Sequence, residues 1–276
     1  MNRRALMLEA LGIGVEWVPK SRQEALVESD SPLPRPVSRE RETGEEAVVV
    51  ERDSPVPRPL SRERERGEDV AALDWAALEA RVAECTACEQ LCATRTQTVF
   101  GVGDRQAEWM LVGEAPGENE DLKGEPFVGQ AGKLLDNMLA ALGLARGRNV
   151  YIANVLKCRP PGNRNPEPSE VEQCEAYLRR QIALVQPRLI VVLGRFAAQT
   201  LLRSTAPISK LRGTVHRYEG IPVVVTYHPA YLLRTLTDKA RAWEDLCMAR
   251  DVHRQAAAPG GATLAPERGG NEGTAG

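Results

Sequence analysis

The chain has 276 residues, 27% of them charged, with a formal net charge of -2, enough for one sizeable domain with tails and too balanced for a global basic field. Residues 71–250 carry 22 basic against 20 acidic side chains and the first seventy are net negative, so any nucleic-acid binding must come from a local site. No apolar run approaches the roughly 18 residues of a membrane span and no signal-peptide core opens the sequence, which predicts a cytoplasmic protein with no membrane association, whose six cysteines bind metal or stay reduced.

Residues 1–20 form a short N-terminal segment. Leu6, Leu8 and Leu11 stand among charges and Gly12 and Gly14 would stop a helix, so the segment reads either as a docking peptide for a protein partner or as a frayed terminus. Residues 21–70 are rich in Pro, Arg, Glu and Ser. SDSPLPRPVSRERETGE (Ser29–Glu45) recurs as RDSPVPRPLSRERERGE (Arg52–Glu68), a period of 23 residues. Such a composition buries too little apolar area to offset its ordering entropy, and a disordered linker is expected.

The globular core is expected over 71–252. Asp74 caps a helix through Arg81 that leads to Cys85 and Cys88. A strand over Trp109–Val112 breaks into a long loop, Glu114–Gly129, at Gly113. A helix over Lys133–Leu142 carries Leu134, Leu135, Met138 and Leu142 on one stripe. The strand Val150–Val155 follows, then a helix capped by Ser169 with Glu172 three residues on. The apolar run Leu189–Leu193 is a third strand with a helix over Phe196–Leu202, and Val223–Tyr227 is a fourth, ending at His228; a last helix spans Asp238–Arg250. Strands alternating with helices predict a three-layer α/β/α domain on a central four-stranded parallel sheet. Residues 253–276, rich in Ala, Gly and Pro, read as a second disordered tail.

Two constellations carry chemistry. Cys85 and Cys88 form a CxxC, Cys158 follows the second strand and Cys174 lies in the next helix, a set suited to tetrahedral zinc or an iron–sulfur cluster. Spacing alone leaves Cys92 open as a third ligand of the first group, and leaves zinc and iron–sulfur undecided. Cys247 reads as packing. The second constellation gathers at the strand ends, where open α/β sheets bind ligands. Glu114 follows strand one, Phe127 lies in the loop below it, Asn154 ends strand two and His228 follows strand four. An aromatic face, a bidentate amide and an imidazole suit one flat heterocycle such as a nucleobase. After His228, the segment holding Tyr231, Leu232 and Arg234 reads either as an apolar wedge beside a phosphate-binding cation or as a first helical turn packed inward.

The motifs GEAPGENED (Gly113–Asp121), EPFVGQAGKLLD (Glu125–Asp136), NVLKCRPPGNRNP (Asn154–Pro166) and HPAYLLR (His228–Arg234) stand in an order that resembles the family 4 uracil-DNA glycosylases, over about Ala83–Arg250. The resemblance implies one [4Fe-4S] cluster on Cys85, Cys88, Cys158 and Cys174, with Cys92 and Cys247 outside it. It implies that uracil stacks on Phe127, pairs its edge with Asn154 and meets His228 and the Glu114–Ala115 backbone. Better-known uracil glycosylases carry an Asp where Ala115 stands, so Glu114 is the candidate for positioning water, and Glu120 is the candidate for excluding thymine. The implied partner is DNA containing uracil, single- or double-stranded, bound by a monomer. Two rivals remain at this stage: a non-enzymatic iron–sulfur or zinc nucleotide-binding module, and a glycosylase preferring another deaminated base such as hypoxanthine.

Overall fold

The computed structural model describes residues 69–257. The N-terminal segment, the duplicated linker up to residue 68 and most of the C-terminal tail lie outside those residues; the linker's last two residues, Asp69 and Val70, are helical, with Val70 buried in the core. The described chain builds six strands, β1 (Val102–Gly103), β2 (Trp109–Gly113), β3 (Val150–Asn154), β4 (Leu189–Leu193), β5 (Val215–Tyr218) and β6 (Ile221–Thr226), in the order β1-β3-β2-β4-β6-β5. The four central strands are parallel and coincide with the four expected from the apolar runs. The antiparallel edges are additions to that expectation: β1 is two residues long, and β5, reading VHRY, is only half covered. Neither shows a continuous apolar run, which is what a buried parallel strand requires.

Side chains alternate across the sheet and fill two cores. Met110, Val112, Tyr151, Ala153, Ile190, Val192, Val223 and Val225 pack under α1 (Trp75–Ala83), α5 (Pro168–Val185) and α6 (Arg195–Leu202). Trp109, Leu111, Val150, Ile152, Leu189, Val191, Leu193 and Val224 pack against α4 (Gln130–Ala141) and α9 (Lys239–Ala257) on the other face. The sheet is therefore covered on both sides, as the alternation predicted.

Three local readings change. The Glu114–Gly129 loop contains a short helix, α3 (Glu118–Lys123), whose Glu120 reaches back to the Gly117 N–H. Helix α5 starts earlier than Ser169: Pro168 occupies its first turn, Glu167 is the cap, and Glu170 accepts from the Glu167 N–H at 2.8 Å. Proline has no N–H to leave unsatisfied there, so it outcompetes Ser169 as the start. Helix α9 continues past Arg250 to Ala257, with His253 against Trp109 (ring centroids 4.9 Å apart) and 3.0 Å from Glu108. No helix among the described residues is long and apolar enough to cross a membrane.

Candidate functional site

The carboxyl ends of β2, β3 and β6 open onto a cavity of about 440 Å³, lined by Glu114, Ala115, Glu120, Phe127, Asn154, His228 and Arg234, and also by Pro160, Asn163 and Arg164. Gly113 and Asn154 are register partners, and pairing continues past the strands: Val155 N–H donates to Gly113 O at 3.0 Å and Leu156 N–H to Glu114 O at 3.1 Å. The first motif and the asparagine are thus held by one backbone ladder. Gly113 must lack a side chain, because a Cβ there would meet Asn154 Oδ1 and lie 2.6 Å from the Phe127 ring.

Asn154 is 2% exposed and its Oδ1 is buried without a hydrogen-bond partner among the described residues. A buried acceptor left open costs about 1–3 kcal/mol, and this one can accept from a donor that a ligand brings into the cavity. Phe127 is 6% exposed and left-handed (φ 56°). That conformation is uncommon for a bulky residue and is held from outside the cavity: Arg146 donates to Pro126 O and Phe127 O, each at 2.8 Å. Gly132 lets helix α4 pass, since a Cβ there would collide with Phe127 O. Sequence reading missed Arg146 and Gly132 because neither touches the cavity.

His228 caps α8 (Pro229–Arg234), its Nδ1 accepting the Ala230 N–H at 3.1 Å. An accepting Nδ1 puts the proton of the neutral ring on Nε2. Burial drives the pKa of His228 down to about 4, with Glu120 opposing and Arg234 reinforcing that shift. The imidazole is therefore a neutral N–H donor near pH 7. Its ring lies 5.4 Å from that of Phe127 at 31°. Glu114 is half-buried and its carboxyl is pushed above the usual range by burial, with the nearby Arg195 charge pulling the other way. Glu120 lines the cavity, but its oxygens are committed to the loop: Gly117, Val128 and Gly129 N–H donate to it at 3.1, 2.9 and 3.2 Å.

Beyond His228 the inward-packed reading holds for two residues. Leu232 is 1% exposed in the second core, so it cannot serve as the wedge. Tyr231 stacks on Tyr227 and donates to Asp238 at 2.6 Å. In the stretch after His228 the exposed large apolar side chains are Leu233 and Leu236, at 42% and 60%. A six-residue helix puts position 232 on its buried face and 233 outside, which letters alone do not reveal.

Cys85, Cys88, Cys158 and Cys174 pack in or against the first core, away from Cys247 on α9. No disulfide joins them, and among the described residues no three His, Cys, Asp or Glu crowd one single-ion position. Cys158 lies within electrostatic reach of Cys85 and Cys92, and Cys174 of Cys158 and Cys88. Cys158 and Cys174 are each 4% exposed, and burial raises both thiols, Cys174 to about 12. Two cations face them. Arg95 donates to Cys158 Sγ at 2.9 Å and to Cys85 O at 2.6 Å. Lys157 is 1% exposed, yet among the described residues the bonds of its ammonium go to neutral groups, Asn154 O and Gln181 Oε1, both at 2.7 Å. Burial lowers its pKa to about 8 while Cys174 and Cys158 oppose the shift. A buried cation lacking a carboxylate partner is costly, and thiolates on an anionic cluster would supply its counter-charge. The donor set fits such a group, with Cys92 close enough to remain a rival ligand.

The sequence profile of the uracil DNA glycosylase superfamily matches residues 100–247. A type-4 uracil-DNA glycosylase of Archaeoglobus fulgidus is 51% identical over 160 residues, covering 55% of this chain and 79% of that protein. Its namesake from Thermotoga maritima is 44% identical over 163 residues, covering 58% and 84%. A type-5 uracil-DNA glycosylase of Pyrobaculum aerophilum is 35% identical over 147 residues, covering 47% and 64%.

Proposed function

Because the chain belongs to the uracil-DNA glycosylase superfamily, we propose that it hydrolyses the N-glycosidic bond of deoxyuridine in DNA, releasing uracil and leaving an abasic site. The observation that carries this reading is the orphaned Asn154 Oδ1 beside the Phe127 face and the His228 Nε2–H. Uracil offers a donor at N3 and acceptors at O4 and O2. Asn154 takes N3–H on Oδ1 and donates to O4; Phe127 stacks on the ring; His228 donates to O2. Flipping the nucleotide into the cavity costs a few kcal/mol, and Leu233 or Leu236, in place of Leu232, is the apolar side chain available to fill the vacated stack, with Arg234 toward a phosphate. As the C1′–N1 bond breaks, negative charge gathers on the base at O2, where a fixed neutral donor stabilises it without reorganisation. Glu114 positions the water that captures the sugar, and Glu120 sets the wall that limits bulk at C5. Incubating the protein with a uracil-containing oligonucleotide tests the reading directly. Free uracil and an alkali-labile strand are expected, and binding without release would leave only a nucleotide-binding module.

Cys85, Cys88, Cys158 and Cys174 would hold one [4Fe-4S] cluster, which when bound cross-links three chain segments and supplies a one-electron couple; base excision uses neither electron nor metal. Ligand loss and unfolding are linked. Cys174→Ala is therefore expected to lower absorbance near roughly 400 nm and soluble yield together, and Cys92→Ala to lower neither. A bleached Cys92→Ala beside a brown Cys174→Ala would reverse the assignment. We place the protein in a reducing cytoplasm, acting as a monomer, with the N-terminal segment left for a protein partner.

Glu114 predicts the acid limb of the pH profile. The water-positioning form is the carboxylate, and burial raises the pKa of its formation, so activity is gained as pH rises through a value above the ordinary range. Glu114→Gln should slow excision and remove the limb. Removing the Arg195 charge, which favours the carboxylate, should move the limb to higher pH. A limb unchanged in Glu114→Gln assigns it to another group.

A further inference from the structure

Adjacent carboxylates in α3 point in opposite directions. Glu120 gathers Gly117, Val128 and Gly129 on the cavity side. Asp121, only 2% exposed, turns away from it and accepts the Thr96 N–H with both oxygens, at 3.0 and 2.9 Å, and the Gln97 N–H at 3.4 Å. Gln97 adds a bond from its side chain to Leu122 O at 3.0 Å. Immediately before Thr96 stands Arg95, which grips Cys158 Sγ and Cys85 O. Two residues past Gln97, Val99 N–H donates to Lys157 O at 2.7 Å, beside Cys158. The strip 95–99 is thus fastened to the cysteines on one side and to the cavity loop on the other. A buried carboxylate without a cationic partner at hydrogen-bond distance is an expensive fastening, and it takes charge-assisted bonds from backbone donors in return.

We propose that Asp121 is a positioning residue that couples the cysteine-bearing segment, through Thr96 and Arg95, to the cavity wall formed by residues 113–129. Order at the cysteines is passed to the loop by three groups of hydrogen bonds joined through adjacent residues: Arg95 to Cys158 and Cys85, the Thr96 N–H to Asp121, and the Gly117, Val128 and Gly129 N–H groups to Glu120. The coupling concerns catalysis only if the cavity excises uracil, so in that respect it rests on the glycosylase reading.

The test is amide hydrogen exchange on the full-length, cluster-loaded protein, read without substrate, together with single-turnover uracil release. Asp121→Asn keeps the side-chain shape but turns an amide N–H₂ toward the Thr96 N–H. Exchange at Gly117, Val128 and Gly129 should rise at least about tenfold while absorbance near roughly 400 nm stays at the wild-type level, and release should slow about tenfold or more. Arg95→Lys should open the same amides, and the double variant should be no worse than the worse single, as members of one chain behave. Should Asp121→Asn be insoluble, the exposed Gln97→Ala removes the neighbouring bond to Leu122 and should raise exchange at the same amides by about threefold. Unchanged exchange, additive effects in the double variant, or faster exchange with unaltered release each overturns the proposal. If the wild type releases no uracil, the glycosylase reading fails while the exchange result still decides whether the coupling exists.

Discussion

Replacing His228 with alanine should slow single-turnover excision by about 10²–10³-fold, the usual cost of one preorganised donor to a developing anion. The effect is large because the donor is already in its working state. Nδ1 is occupied by the Ala230 N–H, so the neutral ring carries its proton on Nε2, and a pKa of about 4 keeps it neutral through the physiological range. Charge on O2 appears only as the bond breaks, so affinity for uracil-containing DNA should stay within a few-fold. The ring also marks its protonation in stability. Its folded pKa is depressed below the ordinary imidazole value of about 6.5, so its contribution is full above that value and is lost as pH falls toward about 4. His228→Ala should flatten that part of the stability profile while the Glu114 limb of the activity profile persists. Excision by His228→Ala at the wild-type rate under single-turnover conditions would remove the leaving-group role.

The central sheet was legible because its strands are buried on both faces and read as unbroken apolar runs, such as Leu189–Leu193. The edge strands escaped for the converse reason: β5 alternates His216 and Tyr218 with exposed neighbours. Glu114, Asn154 and His228 were legible as residues that follow or end strands, where the topology gathers ligand-binding groups, and they line one cavity with Phe127 from the loop between α3 and α4. For Tyr231 and Leu232 the wedge and the inward-packed turn stayed open together, because a composition of Tyr, Leu, Leu and Arg does not say which leucine faces inward; the register of α8 does. The roles of Arg146 and Asp121 were invisible for a different reason. Each acts on backbone atoms of a distant segment, Arg146 across 19 residues to Phe127 O and Asp121 across 25 to the Thr96 N–H. No local pattern encodes such a contact; it exists only once the chain is folded.

The proposed function assigns base recognition to Asn154, and the clearest consequence of that assignment is a change of base preference. In the wild-type protein cytosine would set its 4-amino group against the amide N–H₂, donor to donor, and its unprotonated N3 against Oδ1, acceptor to acceptor. Each such mismatch in a closed site costs about 1–3 kcal/mol. Asn154→Asp removes the amide donor. The strand-end position is closed, with the residue 2% exposed between Gly113 and the Lys157 ammonium that holds its carbonyl. A carboxyl there can accept from the 4-amino group, and if burial keeps it protonated it can also donate to N3. The uracil-to-cytosine ratio of single-turnover rates should therefore fall by about 10–100-fold, the exchange of one mismatch for a match. Uracil excision should persist at a reduced rate, because stacking on Phe127 and the His228 donor remain. Since Asn154 stands four residues before Cys158, the visible absorbance of the variant is the control for an intact cysteine site. Rates measured on unpaired uracil and cytosine remove the cost of opening the base pair from the comparison. A variant that loses uracil activity tenfold or more while its ratio stays at the wild-type value would mean that Asn154 supports the cavity without reading the base, and that the open Oδ1 serves another donor.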